Sequence, residues 1–392
     1  MKNYTSYFSE FLDGHKGYLH FRGHSHHFWP DVTKNAILEY FNDSKRLSDD
    51  KWEKIFGEKI PLAQKLISEI LQFTQPKNIV FAPNTHELVF RLITALLSRN
   101  KKIKILTTDS EFLSFDRQIK RLLEEDWIEL KVIATNPFFN IAQDVIKAGK
   151  TFSPDLVFIS QVFFNSGVAL YQEEIEQLAF EFRGKSLLVI DGYHAFMAIP
   201  TSLSKIGNDI FYLAGSYKYL GAGEGLCFMT IPEGCNLRPV YTGWFADLAH
   251  LDSAQTKIYY PNDGLRFAGS TMDFSSLYKL IAVLENYKRE EISVLKIHKH
   301  VQDLQKYFLE ECRRINHPVL NQSQILIRDL EHHGHFFSFK VKDESSAKNI
   351  AEQLKLNKIL VDTRGDRVRF GFAIYHQPNF KLNFSGISNT NL

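Results

Sequence analysis

Leu187-Leu-Val-Ile-Asp191-Gly-Tyr-His194, and one segment later Gly215-Ser-Tyr-Lys218-Tyr-Leu-Gly-Ala-Gly-Glu-Gly225, form the stretch that decides how this chain folds. The first piece is an apolar run closed by a carboxylate. The second follows another apolar run, Ile210-Phe-Tyr-Leu-Ala214, and sets a lysine among aromatics and glycines. Short uninterrupted apolar runs read as strands buried on both faces. Polar residues at their ends then read as the rim of a crevice, because open parallel sheets bind ligands beyond the carboxyl ends of their strands. A lysine and an acid at two such ends suit pyridoxal 5'-phosphate (PLP). The amine forms a Schiff base with the aldehyde, and the acid keeps the pyridine nitrogen protonated. A crowded aromatic setting also lowers a lysine pKa and frees the amine for that attack. The plain alternatives are a solvated surface lysine and an aspartate that caps a strand or binds metal.

The same rhythm extends outward. The pattern predicts strands at 79–82, 103–108, 129–134 and 156–160, with helices at 86–98, 114–125, 141–149 and 173–184. Strands spaced in this way, with helices between them, make a mostly parallel sheet with crossovers, an α/β fold. Strands at 210–214 and 225–230 continue it, with Lys218 in the turn between them and the glycines of 221–225 making that turn tight. Residues 1–30 read as an irregular arm, and 31–72 as two helices, the first capped by Asp31. Residues 271–315 read as a long linking helical stretch. Strands at 335–341, 359–362 and 368–373, with a helix at 344–354, make a small C-terminal α/β domain. The expected domains are the arm 1–30, a large PLP-binding domain 31–270, and 271–392 for the linking helix and small domain.

Composition narrows the class. The chain has 392 residues, 44% apolar and 23% charged, with 33 Phe, so the expected core is large and aromatic. A net charge of +2 with interspersed signs leaves no nucleic-acid footprint. The basic run Arg99-Asn-Lys-Lys-Ile-Lys104 reads as the edge of a strand. Three cysteines are too few for a disulfide framework and suit a reducing compartment. The first residues carry no apolar signal segment, and no apolar run is long enough to span a membrane. The expectation is a cytoplasmic protein with no membrane or nucleic-acid partner. The Asn- and Ser-rich tail 385–392 reads as frayed.

Five polar clusters fall at successive strand ends: Asn84-Thr85-His86, Asp109-Ser110-Glu111-Phe112, Gln161 to Ser166, Asp191 to His194, and Ser216-Tyr217-Lys218. One shared site explains them together. Asn84 caps the following helix, whose first N–H groups suit a phosphate; a simple cap explains it equally. Phe112 stacks on a planar ring or only packs in the core. His194 braces the cofactor or the acid, or packs beside Ala195 and Phe196. Gly221 to Gly225 resembles a phosphate loop but follows the lysine and leads into a strand, so no dinucleotide-binding order is present. His24, His26 and His27 match no zinc spacing, and no metal is expected. Among Arg364, Arg367 and Arg369, alternation along a strand points Arg367 and Arg369 the same way. One of them suits a substrate carboxylate.

These residues resemble the class V aminotransferase family of fold-type I PLP enzymes, and within it the kynureninases, over about 20–380. The resemblance rests on Asp191-Gly-Tyr-His194-Ala, Ser216-Tyr-Lys218-Tyr-Leu-Gly-Ala-Gly-Glu-Gly225, Gly243-Trp244-Phe245, and Asp362-x-Arg364 with Val368-Arg369. It implies Lys218 as the Schiff-base lysine, Asp191 as the pyridinium partner with His194 beside it, and Phe112 as the stacking residue. It implies Thr85, His86, Tyr217 and Trp244 at the phosphate and Arg369 at the substrate α-carboxylate. It also implies a homodimer with sites at the subunit interface, acting on a small-molecule amino acid. Two stretches depart from kynureninases. Gly269-Ser270-Thr271 stands where they carry Ser-Asn-Pro-Pro, and resembles the motif whose Thr reaches a neighbouring subunit's phosphate in aminotransferase and desulfurase relatives. Gly23-His24-Ser25-His26-His27 replaces their Gly-Asn-Ser-Leu-Gly. The implied activity is that of a class V aminotransferase-family enzyme, with Cβ–Cγ hydrolysis of the kynureninase kind as the alternative. No cysteine stands on a loop near Arg369, where desulfurase chemistry needs one.

Overall fold

The first regular structure lies in the arm. A computed structural model describes residues 3–97, 101–251 and 256–387. Within the arm it holds a 3-10 turn, Thr5–Tyr7, a helix, Ser9–Gly14, and a short strand β1 (Leu19–His20). The arm is therefore more regular than its composition indicates. Asp31 also acts differently from expectation. Its backbone is already helical (φ −58°, ψ −26°), and its side chain makes no cap bond to the helix Val32–Leu47. Its carboxylate instead accepts from Ser9 N at 3.0 Å, Ser9 Oγ at 2.6 Å and Glu10 N at 3.1 Å. It caps the arm's helix, because the cap of its own helix would need an extended backbone.

The central sheet has seven strands: β2 (Ile79–Ala82), β3 (Ile103–Thr108), β4 (Ile128–Ile133), β5 (Leu156–Ser160), β6 (Leu187–Asp191), β7 (Ile210–Gly215) and β8 (Cys227–Thr230). Their order in space is β2-β8-β7-β6-β5-β3-β4. Every neighbouring pair is parallel except the two made by β8. The β7–β8 connection is too short for a crossover, so β8 must return antiparallel. β5 is buried along its whole length, as a strand covered by helices on both faces must be. The order of connection reverses at β3, which has β4 on one side and β5 on the other. The crevice beyond the carboxyl ends of β3 and β5 is therefore where a ligand belongs.

Among the described residues two large apolar cores form, with a small cluster of Val162, Ala169, Ala195 and Phe336 beside them. The larger surrounds the central sheet and takes in Phe8 and Phe28 of the arm, Ile297, and Ala373, Ile374 and Tyr375 near the C-terminus. The smaller gathers Phe21, Val301, Phe308, Phe337 and Phe370. The helix Val294–Ile315 passes from one to the other between Ile297 and Val301. The smaller core lies against an antiparallel sheet of β9 (Phe336–Lys340), β11 (Asp362–Arg364) and β12 (Arg367–Gly371), ordered β11-β12-β9. The strand expected at 359–362 divides in two. β10 (Ile359–Leu360) pairs in parallel with β1, while β11 joins the small sheet. That pairing sews the arm to the C-terminal region and brings His24 to Asp362. Arg99 and Asn100 of the basic run, and 388–392 of the tail, lie outside the described residues. No helix among the described residues is long and apolar enough to cross a membrane.

Candidate active site

A cavity of about 200 Å³ opens at the carboxyl ends of the parallel strands. All five strand-end clusters contribute to its lining, through Asn84, Thr85 and His86, Phe112, Phe164, Asp191 and His194, and Tyr217 and Lys218. Lys218 is buried at its centre. Its Nζ lies 2.6 Å from His194 Nε2 and 3.1 Å from Nδ1. The same atom is 4.9 Å from the Tyr193 ring centre and 5.4 Å from that of Phe112. Desolvation lowers the Lys218 amine to about 7, with Arg369 pushing the same way and Asp191 and Asp362 opposing. The amine is therefore substantially unprotonated near neutrality, as a nucleophile must be.

The loop that carries Lys218 is held from both sides. Ser216 Oγ donates to the carbonyls of Gly223 and Leu226 at 2.6 and 3.0 Å. Gly221 and Gly223 adopt positive φ (+71° and +74°), and a Cβ on either would strike Phe28, His27 or Trp29. Only glycine meets both demands. The arm's residues 27–29 thus form the back wall of the lysine loop.

Asp191 closes β6 beside the cavity, and its Oδ1 accepts from Tyr193 N at 2.8 Å. Desolvation raises its pKa, against the Tyr193 N–H and the Lys218 charge. Such an acid is a ready acceptor for a cationic donor such as a pyridinium N–H. At the opposite rim, Asn84 Oδ1 accepts from Glu87 N at 2.9 Å and caps the helix Thr85–Ala95. Thr85 and His86, in the first turn where N–H groups lack helical partners, line the cavity. An amine, a facing acid and a helix start around one cavity fit PLP.

Other expected residues lie at the cavity's edge or beyond it. Phe112 is 39% exposed and meets Phe164 edge-on at 5.6 Å. Trp244 Nε1 donates to Thr271 Oγ1 at 3.1 Å, away from the cavity lining. Arg369 is only 2% exposed. Its Nε and Nη2 donate to Asp362 at 2.8 and 2.5 Å, and its Nη1 to the Phe164 carbonyl at 2.5 Å. Arg367 Nη1 donates to the neighbouring Asn165 carbonyl at 2.8 Å. The two arginines do share a direction, onto the loop at 164–165.

Several cavity residues had no role assigned from the sequence. Ser160 ends β5, and its Oγ donates to Glu111 Oε2 at 2.5 Å, while Thr108 Oγ1 donates to Oε1 at 2.6 Å. Burial pushes the Glu111 carboxyl up to about 8. Its place in a strand-end cluster was the available signal. Cys227 begins β8 and lines the cavity because β8 is antiparallel. Burial pushes its thiol up to about 12.

Comparison with protein families gives a match to the class V aminotransferase model over residues 30–379. The chain belongs to that family. The family is PLP-dependent, in agreement with the fit of the cavity residues. Solved structures share the fold. A cysteine desulfurase from Thermococcus onnurineus NA1 has 19% identity and a TM-score of 0.79, covering 96% of this chain and 95% of that one. The cystine C–S lyase C-DES, in complex with its product cysteine persulfide, has 16% identity and a TM-score of 0.79, covering 93% and 95%. Another structure of C-DES holds glycine covalently linked to PLP. Comparison with the curated proteins gives no match.

Proposed function

We propose that this class V enzyme transaminates an α-amino acid, with Lys218 carrying PLP and then moving the proton at the substrate Cα. The observation that carries this reading is the buried Lys218 amine, lowered to about 7 and set between His194 and the Phe112 and Tyr193 rings. When bound, PLP supplies an electron sink that stabilises negative charge at Cα. Asp191 holds the proton on the ring nitrogen. Thr85, His86 and Tyr217 would hold the phosphate, and Phe112 would pack against the ring. His194 accepts a hydrogen bond from the lysine amine and keeps it aimed. Arg369 takes the substrate carboxylate. Burial behind Phe164 keeps water from that end.

A second copy of the chain is the proposed partner. Trp244 and Thr271 bond to one another outside their own cavity, which suits a role at the phosphate of a neighbouring subunit. Ile37, Leu38 and Phe41 leave an exposed apolar face on the helix Val32–Leu47, the kind of surface a subunit contact covers. Three free cysteines suit a cytoplasmic setting. Kynureninase-like Cβ–Cγ hydrolysis is the second reading, supported by Asp362-x-Arg364 and Arg369 standing together on β11 and β12. Sulfur transfer to an enzyme thiolate has less support, since burial pushes the Cys227 thiol up to about 12.

Incubating the PLP-loaded protein with a panel of amino acids, kynurenine and cysteine included, separates these readings. Conversion of the cofactor to its amine form, read by absorbance, means transamination. Release of alanine from kynurenine means Cβ–Cγ cleavage. A colourless protein that PLP cannot restore would end the enzyme reading.

A further inference from the structure

His24 comes from the N-terminal arm yet is fully buried at the far end of the site. Its Nε2 lies 3.1 Å from Asp362 Oδ1, the same oxygen that accepts from Arg369 Nε. A carboxylate only accepts, so Nε2 carries the hydrogen. The His24 ring stacks on Phe336 at 4.6 Å and 19°. That phenyl ring also lies 5.8 Å from the Arg369 guanidinium and 5.5 Å from the His194 ring. A continuous path of contacts therefore joins the lysine amine to the buried arginine: Lys218, His194, Phe336, His24, Asp362, Arg369. The place of His24 is reserved by Gly371, where a Cβ would come within 2.1 Å of His24 Nδ1.

An arginine has two edges able to grip a carboxylate. Asp362 occupies the edge made by Nε and Nη2, and so fixes the plane of the guanidinium. The outer edge, made by Nη1 and Nη2, keeps N–H groups for another acceptor, although Nη1 also serves the Phe164 carbonyl. The aim of that outer edge depends on Asp362, and Asp362 is held by His24.

We propose that His24 and Asp362 are positioning residues, through which the N-terminal arm aims Arg369 at the substrate carboxylate. The inference rests on the reading of Arg369 as the carboxylate site. It adds a specificity element made by a segment distant in sequence from both the lysine and the arginine. It also accounts for a fully buried histidine that stands outside the cavity lining.

The test uses the PLP-loaded protein and propionate, a carboxylate with no amine to react. Propionate binding is read from the change it makes in the cofactor absorbance, and folding from circular dichroism and the thermal midpoint. His24→Phe keeps the ring on Phe336 but loses the bond to Asp362, and should weaken propionate by about tenfold or more. His24→Gln restores an N–H donor and should recover most of that loss. Asp362→Asn, which keeps the shape and loses the charge, should weaken propionate to a similar degree. Cofactor colour should persist in all three. Tighter binding by Asp362→Asn would make Asp362 a competitor for Arg369 and overturn the proposal. Equal binding by His24→Phe and the parent protein would overturn it as well. A yellow parent protein that ignores propionate defeats the carboxylate site and this inference with it, while leaving the role of Lys218 intact. A parent protein that never becomes yellow defeats that role instead.

Discussion

At the Lys218 end of the site the half-buried acid, Asp191, is met by the Tyr193 N–H and by a lysine whose pKa burial lowers to about 7. At the Arg369 end the half-buried acid, Asp362, accepts from Nε and Nη2 of Arg369 and from His24, and its carboxyl is held far below the usual range. The first end is short of counter-charge and the second already contains its own. Burial disfavours charge unless a partner compensates. The Lys218 end therefore suits completion by the proposed cofactor, whereas the Arg369 end, the proposed carboxylate site, already has its counter-charge. On the proposed roles, the group that reacts is left uncompensated and the group that orients is locked.

The largest expected effect lies at the uncompensated end. Lys218→Ala should abolish the yellow colour of lysine-bound PLP and reduce turnover by at least about 10³-fold, because attachment and proton transfer are both lost. Persistent colour in this variant would move the cofactor to another amine. Asp191→Asn tests the same end more gently. It should leave a coloured protein whose turnover is lower by about 10²-fold, since a neutral amide does not hold the ring nitrogen protonated. An equally active Asp191→Asn protein would make Asp191 a strand cap and remove the contrast between the two ends.

A smaller effect comes from pH. The Lys218 amine must be neutral to attack the cofactor aldehyde. Its pKa is lowered to about 7, so the amine is protonated and slow below that pH and free above it. The rate at which PLP reloads the cofactor-free protein should rise with pH and level off above about 7. An ordinary lysine, at 10.5, would still be accelerating well beyond that point. Stopped absorbance measurements across pH 5–10 (at about one-unit steps) distinguish the two.

The two ends also differ in how far the sequence discloses them. The Lys218 end rests on strand ends of a regular β/α rhythm. In such a sheet every second element finishes on the same edge, so Asn84, Phe112, Asp191 and Lys218 converge without any further information. Cys227 escapes the same argument because its strand runs the other way. Its first residue, not its last, faces the crevice. The Arg369 end depends on β1 pairing with β10, a contact between residues 19 and 359. Two-residue strands carry no periodic signal. The meeting of His24 with Asp362 is therefore visible only once the arm is seen folded onto the C-terminal region. Asp31 fails for a related reason: the acid stands where a cap belongs, but the backbone angle that decides its partner is set by the arm's packing.

Glu111 lies between the two patterns and gives the smallest and most discriminating test. It is a buried acid at the Lys218 end, yet Ser160 and Thr108 hydroxyls and the Ser160 N–H all donate to it. Those donors favour its anion, but desolvation and the nearby Asp191 outweigh them and raise the carboxyl from 4.5 to about 8. A group whose pKa rises on folding stabilises the fold while both states hold the proton. That contribution is largest below 4.5 and is lost as pH rises toward 8. Glu111→Gln mimics the protonated acid at every pH. It should stay within about 1 kcal/mol of the parent protein near pH 5 and become the more stable of the two, by about 3–4 kcal/mol, near pH 8. Glu111→Ala should be less stable near pH 5 by about 1–3 kcal/mol, because the buried hydroxyls lose their acceptor. Urea midpoints at the two pH values measure both differences. A parent protein that gains stability over Glu111→Gln as pH rises would mean that Glu111 is ionised, compensated by its donors as Asp362 is by His24 and Arg369, and the two ends would then be built alike.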